Sequence, residues 1–231
     1  MFIVNVQPKF DLIENQLYTF VNPYSWQKIQ ALSLCEIDKF NIYADGILFV
    51  LLNNILSNVK ISRYSFDFTS IAHDVFNYTV ANNKTIYLIG GIEGVTCKSA
   101  DILNDLYSNS LKFVGTRNGF FNSPSDYSEA LNEATKADFV ITAMGTPFQE
   151  KFLLDLKSSG WCGTGFTCGG FLDQVLVGKA SYYPKWADRL NLRWLYRLYK
   201  EPQRLWKRYL IDYQVFIAKF TLYHIKKRLL R

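Results

Sequence analysis

The sequence predicts an α/β protein whose mainly parallel sheet is covered by helices on both faces, followed by a basic amphipathic helical appendage. Three observations predict this. Short β-rich runs such as residues 85–89 and 138–143 end in glycine-containing turns and give way to helical periodicity. Those runs are continuously apolar instead of alternating, as in strands buried on both faces. The last forty-odd residues then change to basic charge interleaved with aromatic side chains.

Element by element, residues 17–21 predict a strand and 25–37 a helix. Helices are expected after Asp45-Gly46 as far as residue 57, and over 69–81. The clearest unit follows: a strand at 85–89, the turn Gly90-Gly91 and a helix over 96–107. A strand at 111–115, a helix over 124–136, a strand at 138–143 and a helix over 148–158 complete the body. Sheets of this kind bind ligands beyond the carboxyl ends of their strands. The loops at Gly90-Gly91, Gly115-Thr116-Arg117 and Gly145-Thr146-Pro147 are therefore expected on one rim.

Length and composition bound the answer. A chain of 231 residues suits one domain plus an appendage, here divided at 1–188 and 189–231. With 49% hydrophobic and 20% charged residues, a packed core is expected and disorder is not. The four cysteines form no C-x-x-C pair and the two histidines are far apart, so no metal is expected. No secretory signal or run of eighteen apolar residues occurs. The expectation is a cytoplasmic protein with reduced thiols and peripheral membrane contact only.

Charge is unevenly placed. Thirteen of the 26 Lys/Arg but three of the 20 Asp/Glu lie from Lys185 onward, leaving a tail of +10 on a body of −4. Such asymmetry points to an anionic partner for the tail. Leu205, Tyr209, Tyr213, Phe216 and Phe220 recur at spacings of three and four, on one helical face. Helices are expected at 189–200 and 202–228, with Pro202 opening the second. A basic, aromatic-rich amphipathic helix suits an anionic membrane surface. Docking onto the core and nucleic-acid binding are the alternatives, and no nucleic-acid partner is expected.

Individual motifs leave the chemistry open. Gly90-Gly91 with Gly94 suits either phosphate approach or a plain tight turn. Asp45 precedes an apolar helix, where capping competes with catalysis. Gln149 and Glu150 stand in the first turn of a helix, where capping would account for Glu150. There is no complete G-x-G-x-x-G, no Walker loop and no D-x-D. The missing D-x-D leaves either a metal-free sugar-nucleotide transferase that neutralises phosphate with Arg, Lys and backbone dipoles, or no transferase at all.

Taken together, several segments resemble the WecG/TagA/CpsF glycosyltransferase family. They are Thr19-Phe-Val-Asn22-Pro23, Tyr43-Ala-Asp45-Gly46, Tyr87-Leu-Ile-Gly90-Gly91, Asp138-Phe-Val-Ile, Gly145-Thr-Pro147-Phe-Gln149-Glu150, Gly169-Gly170-Phe-Leu-Asp173 and Trp194-Leu-Tyr-Arg197-Leu…Glu201-Pro202-Gln-Arg204…Arg208-Tyr209. The resemblance implies a Rossmann-like domain and an inverting, metal-independent enzyme. It implies transfer of a hexose, N-acetylmannosamine or uronic acid from a UDP-sugar to an undecaprenyl-diphosphate-linked saccharide, without cofactor. The pathway would build capsule or exopolysaccharide at the inner membrane face.

By the same resemblance Asp45 is the general base, and Asn22, Arg63 and Gln149 line its pocket. Gly90, Gly91, Phe120, Gly145 and Asp173 bind the nucleotide, Asp173 reading the uracil and Phe120 covering it. Arg197, Arg204 and Arg208 hold the lipid diphosphate. Gln149, the rim amides and the appendage arginines would steady the departing UDP. A non-catalytic membrane scaffold is the rival reading. The chain departs from the family pattern at Tyr182-Tyr183-Pro184, Asn118 and Phe20, which bears on the identity of the sugars.

Overall fold

The computed structural model describes residues 5–177, 193–200 and 202–229. Strands β1 (Leu17–Val21), β2 (Phe40–Ala44), β3 (Thr85–Gly90), β4 (Lys112–Arg117), β5 (Phe139–Ala143) and β6 (Thr164–Thr167) form one sheet, ordered β2-β1-β6-β5-β3-β4. Every neighbouring pair is parallel. The expected Rossmann-like α/β class is present, and all strand carboxyl ends share one rim.

Alternation along each strand divides the core into two layers. Leu17, Val21, Tyr87, Ile89 and Val140 face Trp26 and Ile29 of α1 (Pro23–Ile29), Phe49 of α3 (Ile47–Leu56) and Phe152 of α7 (Phe148–Ser158). Helix α6 (Pro124–Ala134) closes that layer with Ala130 and Ala134. Tyr18, Phe20, Ile86, Leu88 and Ile141 face Phe76 of α4 (Ala72–Ala81), Leu103 of α5 (Val95–Leu106) and Phe171 of α8 (Phe171–Leu176).

Several elements differ from expectation. Gly115-Thr116-Arg117, expected as a rim loop, are the last three residues of β4 and pair with β3. The helix expected over 25–37 is two, because Ser33 caps α2 (Leu34–Ile37) and Glu36 closes the capping box. Strand β2 was not anticipated, since its five residues include the polar Asn41 and run directly into the Asp45 turn. Strand β6 reads as a polar loop, Thr-Gly-Phe-Thr, yet every residue is buried. Its hydroxyls are satisfied internally: Thr164 Oγ1 accepts from the Asn15 N–H at 2.9 Å and Thr167 Oγ1 donates to Thr19 Oγ1 at 3.0 Å. Helix α8 likewise follows a glycine pair too short in sequence to announce it.

The appendage comprises α9 (Arg193–Lys200), α10 (Pro202–Lys207), a π-helical turn at Arg208–Asp212 and α11 (Tyr213–Leu229). Pro202 opens α10 as expected. Phe216 lies 5.2 Å from both Trp26 and Phe49, and Phe220 lies 6.1 Å and 5.4 Å from the same rings, all edge-to-face. The apolar stripe of the tail, expected first to meet a membrane surface, instead buries Phe216 and Phe220 in the core beside α1 and α3, the docked alternative. The expected domain boundary at 188 and 189 lies outside the described residues.

Candidate active site

The turns after four adjacent strands meet over the sheet. Asn22 follows β1, Asp45 follows β2, Gly145 and Thr146 follow β5, and Cys168 to Gly170 follow β6. With Ser65, Asp67, Gln149, Asp173 and Arg208 they line a cavity of about 420 Å³. A second, mostly apolar groove of about 950 Å³ lies over β3, β4 and β5. Gly91, Phe120, Met144 and Phe148 line it, and Asp173 belongs to both spaces. Asp173 is thus the hinge between a polar compartment and an apolar one.

Asp45 does not cap a helix. The N-cap of α3 is Gly46, at φ 120, and no side chain bonds to the free amides there. The carboxylate turns instead to Arg63, whose Nη2 lies 3.1 Å from Asp45 Oδ1. Arg63 also reaches Asp67 Oδ2 at 3.3 Å and Ser65 Oγ at 2.8 Å. Burial pulls the guanidinium's pKa down, but the two carboxylates outweigh that and raise it, so Arg63 is a permanent cation. An isolated bridge from Ala44 to Arg63 holds this segment against β2.

Ser65 and Asp67 were not anticipated from sequence. The alternating Arg63-x-Ser65-x-Asp67 pattern was the available signal. Ser65 Oγ donates to Asp67 at 2.7 Å, and Asp67 accepts from the Thr69 amide at 2.8 Å, so the Arg63 partner is itself fixed.

Asn22 combines two duties. Its Oδ1 accepts from the amides of Tyr24 and Ser25, both at 3.0 Å, as the N-cap of α1. The same oxygen accepts from Arg208 Nη2 at 3.1 Å, while the guanidinium lies 4.6 Å over the Tyr24 ring. Gln27 Nε2 adds a bond to the Asp212 carbonyl at 2.6 Å. The π-turn that begins at Arg208 therefore delivers an appendage side chain into the cavity wall. The backbones of Arg197 and Arg204 belong to α9 and α10, but their side chains lie outside the described residues.

Glu150 closes no capping box: the α7 N-cap is Pro147, which has no N–H to offer. It is fully buried and accepts from Thr19 Oγ1 at 2.8 Å, Thr146 Oγ1 at 3.1 Å and Gln149 Nε2 at 3.2 Å. Burial pushes its carboxyl upward, against the pull of these donors.

The nucleotide residues expected from sequence separate by role. Gly91 and Phe120 line the groove and Gly145 the cavity. Gly90 lines neither. A Cβ there would meet the Ala143 carbonyl at 2.5 Å, so its glycine serves the β3–β5 packing. Among the described residues no cluster of three His, Cys, Asp or Glu could hold a metal ion.

A model of the glycosyl transferase WecG/TagA/CpsF family matches residues 18–229. This chain belongs to that family. It is 38% identical over 229 residues to the UDP-Gal:alpha-D-GlcNAc-diphosphoundecaprenol beta-1,4-galactosyltransferase of Shigella boydii, covering 94% of this chain and 92% of that relative. It is 32% identical over 190 residues to the N-acetylglucosaminyldiphosphoundecaprenol N-acetyl-beta-D-mannosaminyltransferase of Bacillus subtilis (strain 168), covering 80% and 68%. The WecG/TagA/CpsF chain described here is a glycosyltransferase.

Proposed function

We propose that the protein transfers a hexose from a UDP-sugar to undecaprenyl-diphosphate-linked N-acetylglucosamine, with inversion and without a metal. Both relatives are named for that acceptor and for a β-linked product. UDP-hexose donors of this kind carry an α-linkage, so a β product requires inversion by a single displacement. The observation that carries the reading is Asp45: a carboxylate freed from capping, oriented by Arg63, in a cavity walled by Arg208.

In this mechanism Asp45 takes the proton from the acceptor hydroxyl as that oxygen attacks the anomeric carbon. The bond from that carbon to the diphosphate oxygen breaks, and its electron pair leaves with UDP. Arg63, set between Asp45 and Asp67, orients the base with a fixed positive charge. The uridine occupies the apolar groove with Phe120 against the ring and Asp173 accepting its imide hydrogen. The lipid diphosphate lies against Arg208, with Arg197 and Arg204 completing the clamp.

Asp173→Ala is expected to weaken UDP binding by roughly tenfold to a hundredfold, the loss of one hydrogen bond to a charged acceptor. Calorimetric titration of UDP in the presence of a chelator checks both the residue and the metal-free reading. Unchanged affinity would remove Asp173 from the site, and loss of wild-type binding on chelation would restore a metal.

The same proposal places the enzyme on the anionic inner face of the bacterial membrane, in cell-surface polysaccharide synthesis. Among the described residues no helix is long and apolar enough to cross a membrane. Helix α11 instead has two apolar faces. Phe216, Phe220 and His224 point inward, while Val215, Leu222, Ile225 and Leu229 are exposed at spacings of seven, three and four. Lys219 and Lys226 border this outer stripe. Leu222→Glu with Ile225→Glu should abolish binding to anionic vesicles and leave the circular dichroism spectrum unchanged. Vesicle co-sedimentation measures this, and undiminished binding would move the anchor elsewhere.

A further inference from the structure

Helix α3 lacks the polar outer face that a helix on a water-facing surface carries. Its inner side buries Phe49, Val50 and Asn53. Its outer side shows Leu51 and Ile55, one turn apart and 52% and 70% exposed, and Val59 is 55% exposed in the turn that follows. The two asparagines of α3 do not relieve this, because both side chains are bonded to that turn. Asn53 Nδ2 donates to the Val59 carbonyl at 2.8 Å and Asn54 Nδ2 to the Ile61 carbonyl at 2.9 Å, while Asn54 Oδ1 accepts from the Ile61 amide at 2.8 Å. Charge is arranged to match. Between Asp45 and Asp67 the sequence has no acidic residue and two basic ones, Lys60 and Arg63. The 10 residues of α3 are too few to cross a bilayer, and a short helix of this composition suits the interface plane.

We infer that the outer stripe of α3 is a second contact with the anionic membrane surface, beside α11, and that it brings the Asp45 cavity to the level of the lipid headgroups. The inference rests on the membrane placement proposed above. Phe49 of α3 packs on Phe216 and Phe220 of α11, so the two helices form one wall, each with an aliphatic stripe left outside. Helix α3 starts two residues after Asp45, which sets Leu51 and Ile55 within about 15 Å of the base along the helix axis. An acceptor whose polyprenyl chain stays in the bilayer must bring its sugar to Asp45, and a stripe at this distance fixes the height at which it arrives. A second copy of the chain is the poorer occupant. Three aliphatic side chains offer far less than the roughly 800 Å² per partner that a stable dimer buries. Two modest contacts on one body suit a continuous surface, where the second binds at high effective concentration once the first is made.

The test uses the full chain with Leu51→Gln and Ile55→Gln, which removes apolar surface without adding charge. Affinity for vesicles of phosphatidylglycerol and phosphatidylethanolamine, measured by co-sedimentation, should fall roughly tenfold or more. Transfer to undecaprenyl-diphosphate N-acetylglucosamine held in those vesicles should fall with it. Transfer to a short-chain, water-soluble acceptor should stay within about twofold of wild type. Leu51→Met with Ile55→Met, which keeps the surface apolar, should bind vesicles as wild type does. If the glutamine pair lowers the melting temperature, Val59→Gln, which lies outside the helix, carries the same comparison with a smaller loss. Wild-type vesicle binding by the glutamine variants overturns the inference. Such binding with a loss of self-association in sedimentation would give the stripe to a second copy. An equal loss of transfer to both acceptors also overturns it, placing the effect in the site and not at the membrane. If Leu222→Glu with Ile225→Glu leaves binding intact as well, the membrane placement itself fails. Absence of transfer to the short-chain acceptor by the wild-type protein would instead count against the proposed reaction.

Discussion

Asp45→Asn is expected to lower transfer by at least a hundredfold, the lower range of what a positioned general base contributes. The amide is nearly the same size and still accepts from Arg63, so the cavity keeps its shape. It cannot take the proton from the attacking hydroxyl. UDP affinity should be unchanged, because Asp45 lies in the polar cavity and the uridine in the neighbouring groove. A helix cap would give a different signature: a loss of stability with activity preserved per folded molecule. The structure already argues against that, since Gly46, not Asp45, is the N-cap of α3 and no side-chain cap bond forms there. Steady-state transfer and a thermal melt on the same preparation separate the two. Retention of more than about a tenth of wild-type rate would contradict the base assignment.

Changing Arg197, Arg204 and Arg208 together to lysine is expected to reduce transfer on the order of a hundredfold while vesicle binding stays constant. The net charge is preserved, so an appendage that only attracts lipid headgroups would lose nothing. Arg208 shows why lysine cannot substitute. Its guanidinium covers the Tyr24 ring and at the same time donates to Asn22, an arrangement that needs a planar fork. Its Nε is buried without a hydrogen-bond partner among the described residues, next to the cavity where the diphosphate would lie. Normal activity in the triple variant would reduce the appendage to an electrostatic anchor.

Much of the fold was legible because the decisive elements are apolar and periodic. Strands β1, β3, β4 and β5 and helices α3 to α7 match the hydrophobic pattern, and the turns at Gly90-Gly91 and Gly145-Thr146-Pro147 located the rim, whereas Gly115-Thr116-Arg117 proved to be the end of β4 and not a loop. The strands that escaped notice, β2 and β6, are short and carry Asn41, Thr164 and Thr167. The threonine hydroxyls of β6 are satisfied by tertiary contacts that no local pattern reveals.

The site divides along the same line. Asp45, Gln149 and Asp173 stood in recognisable turns, but their neighbours are brought in from afar. Arg63 reaches Asp45 through a single bridge, and Arg208 reaches Asn22 across 186 positions of sequence. That Glu150 belongs to a buried network and not to a helix cap depends on Thr19, from a different strand. Two-faced α11 was half visible: the Phe216 and Phe220 stripe was legible but first assigned to a membrane surface, and the outward stripe required knowing that the core had taken the first.

The most direct test of the account is a label-transfer assay. Wild-type protein is incubated with UDP-galactose, or another UDP-hexose labelled in the sugar, and a short-chain polyprenyl-diphosphate N-acetylglucosamine in chelator. The account predicts a labelled, lipid-linked disaccharide whose new linkage is β by proton coupling at the anomeric carbon, and no such product from Asp45→Asn. An α-linked product, or no transfer from any UDP-hexose while the folded protein binds the lipid, would contradict it.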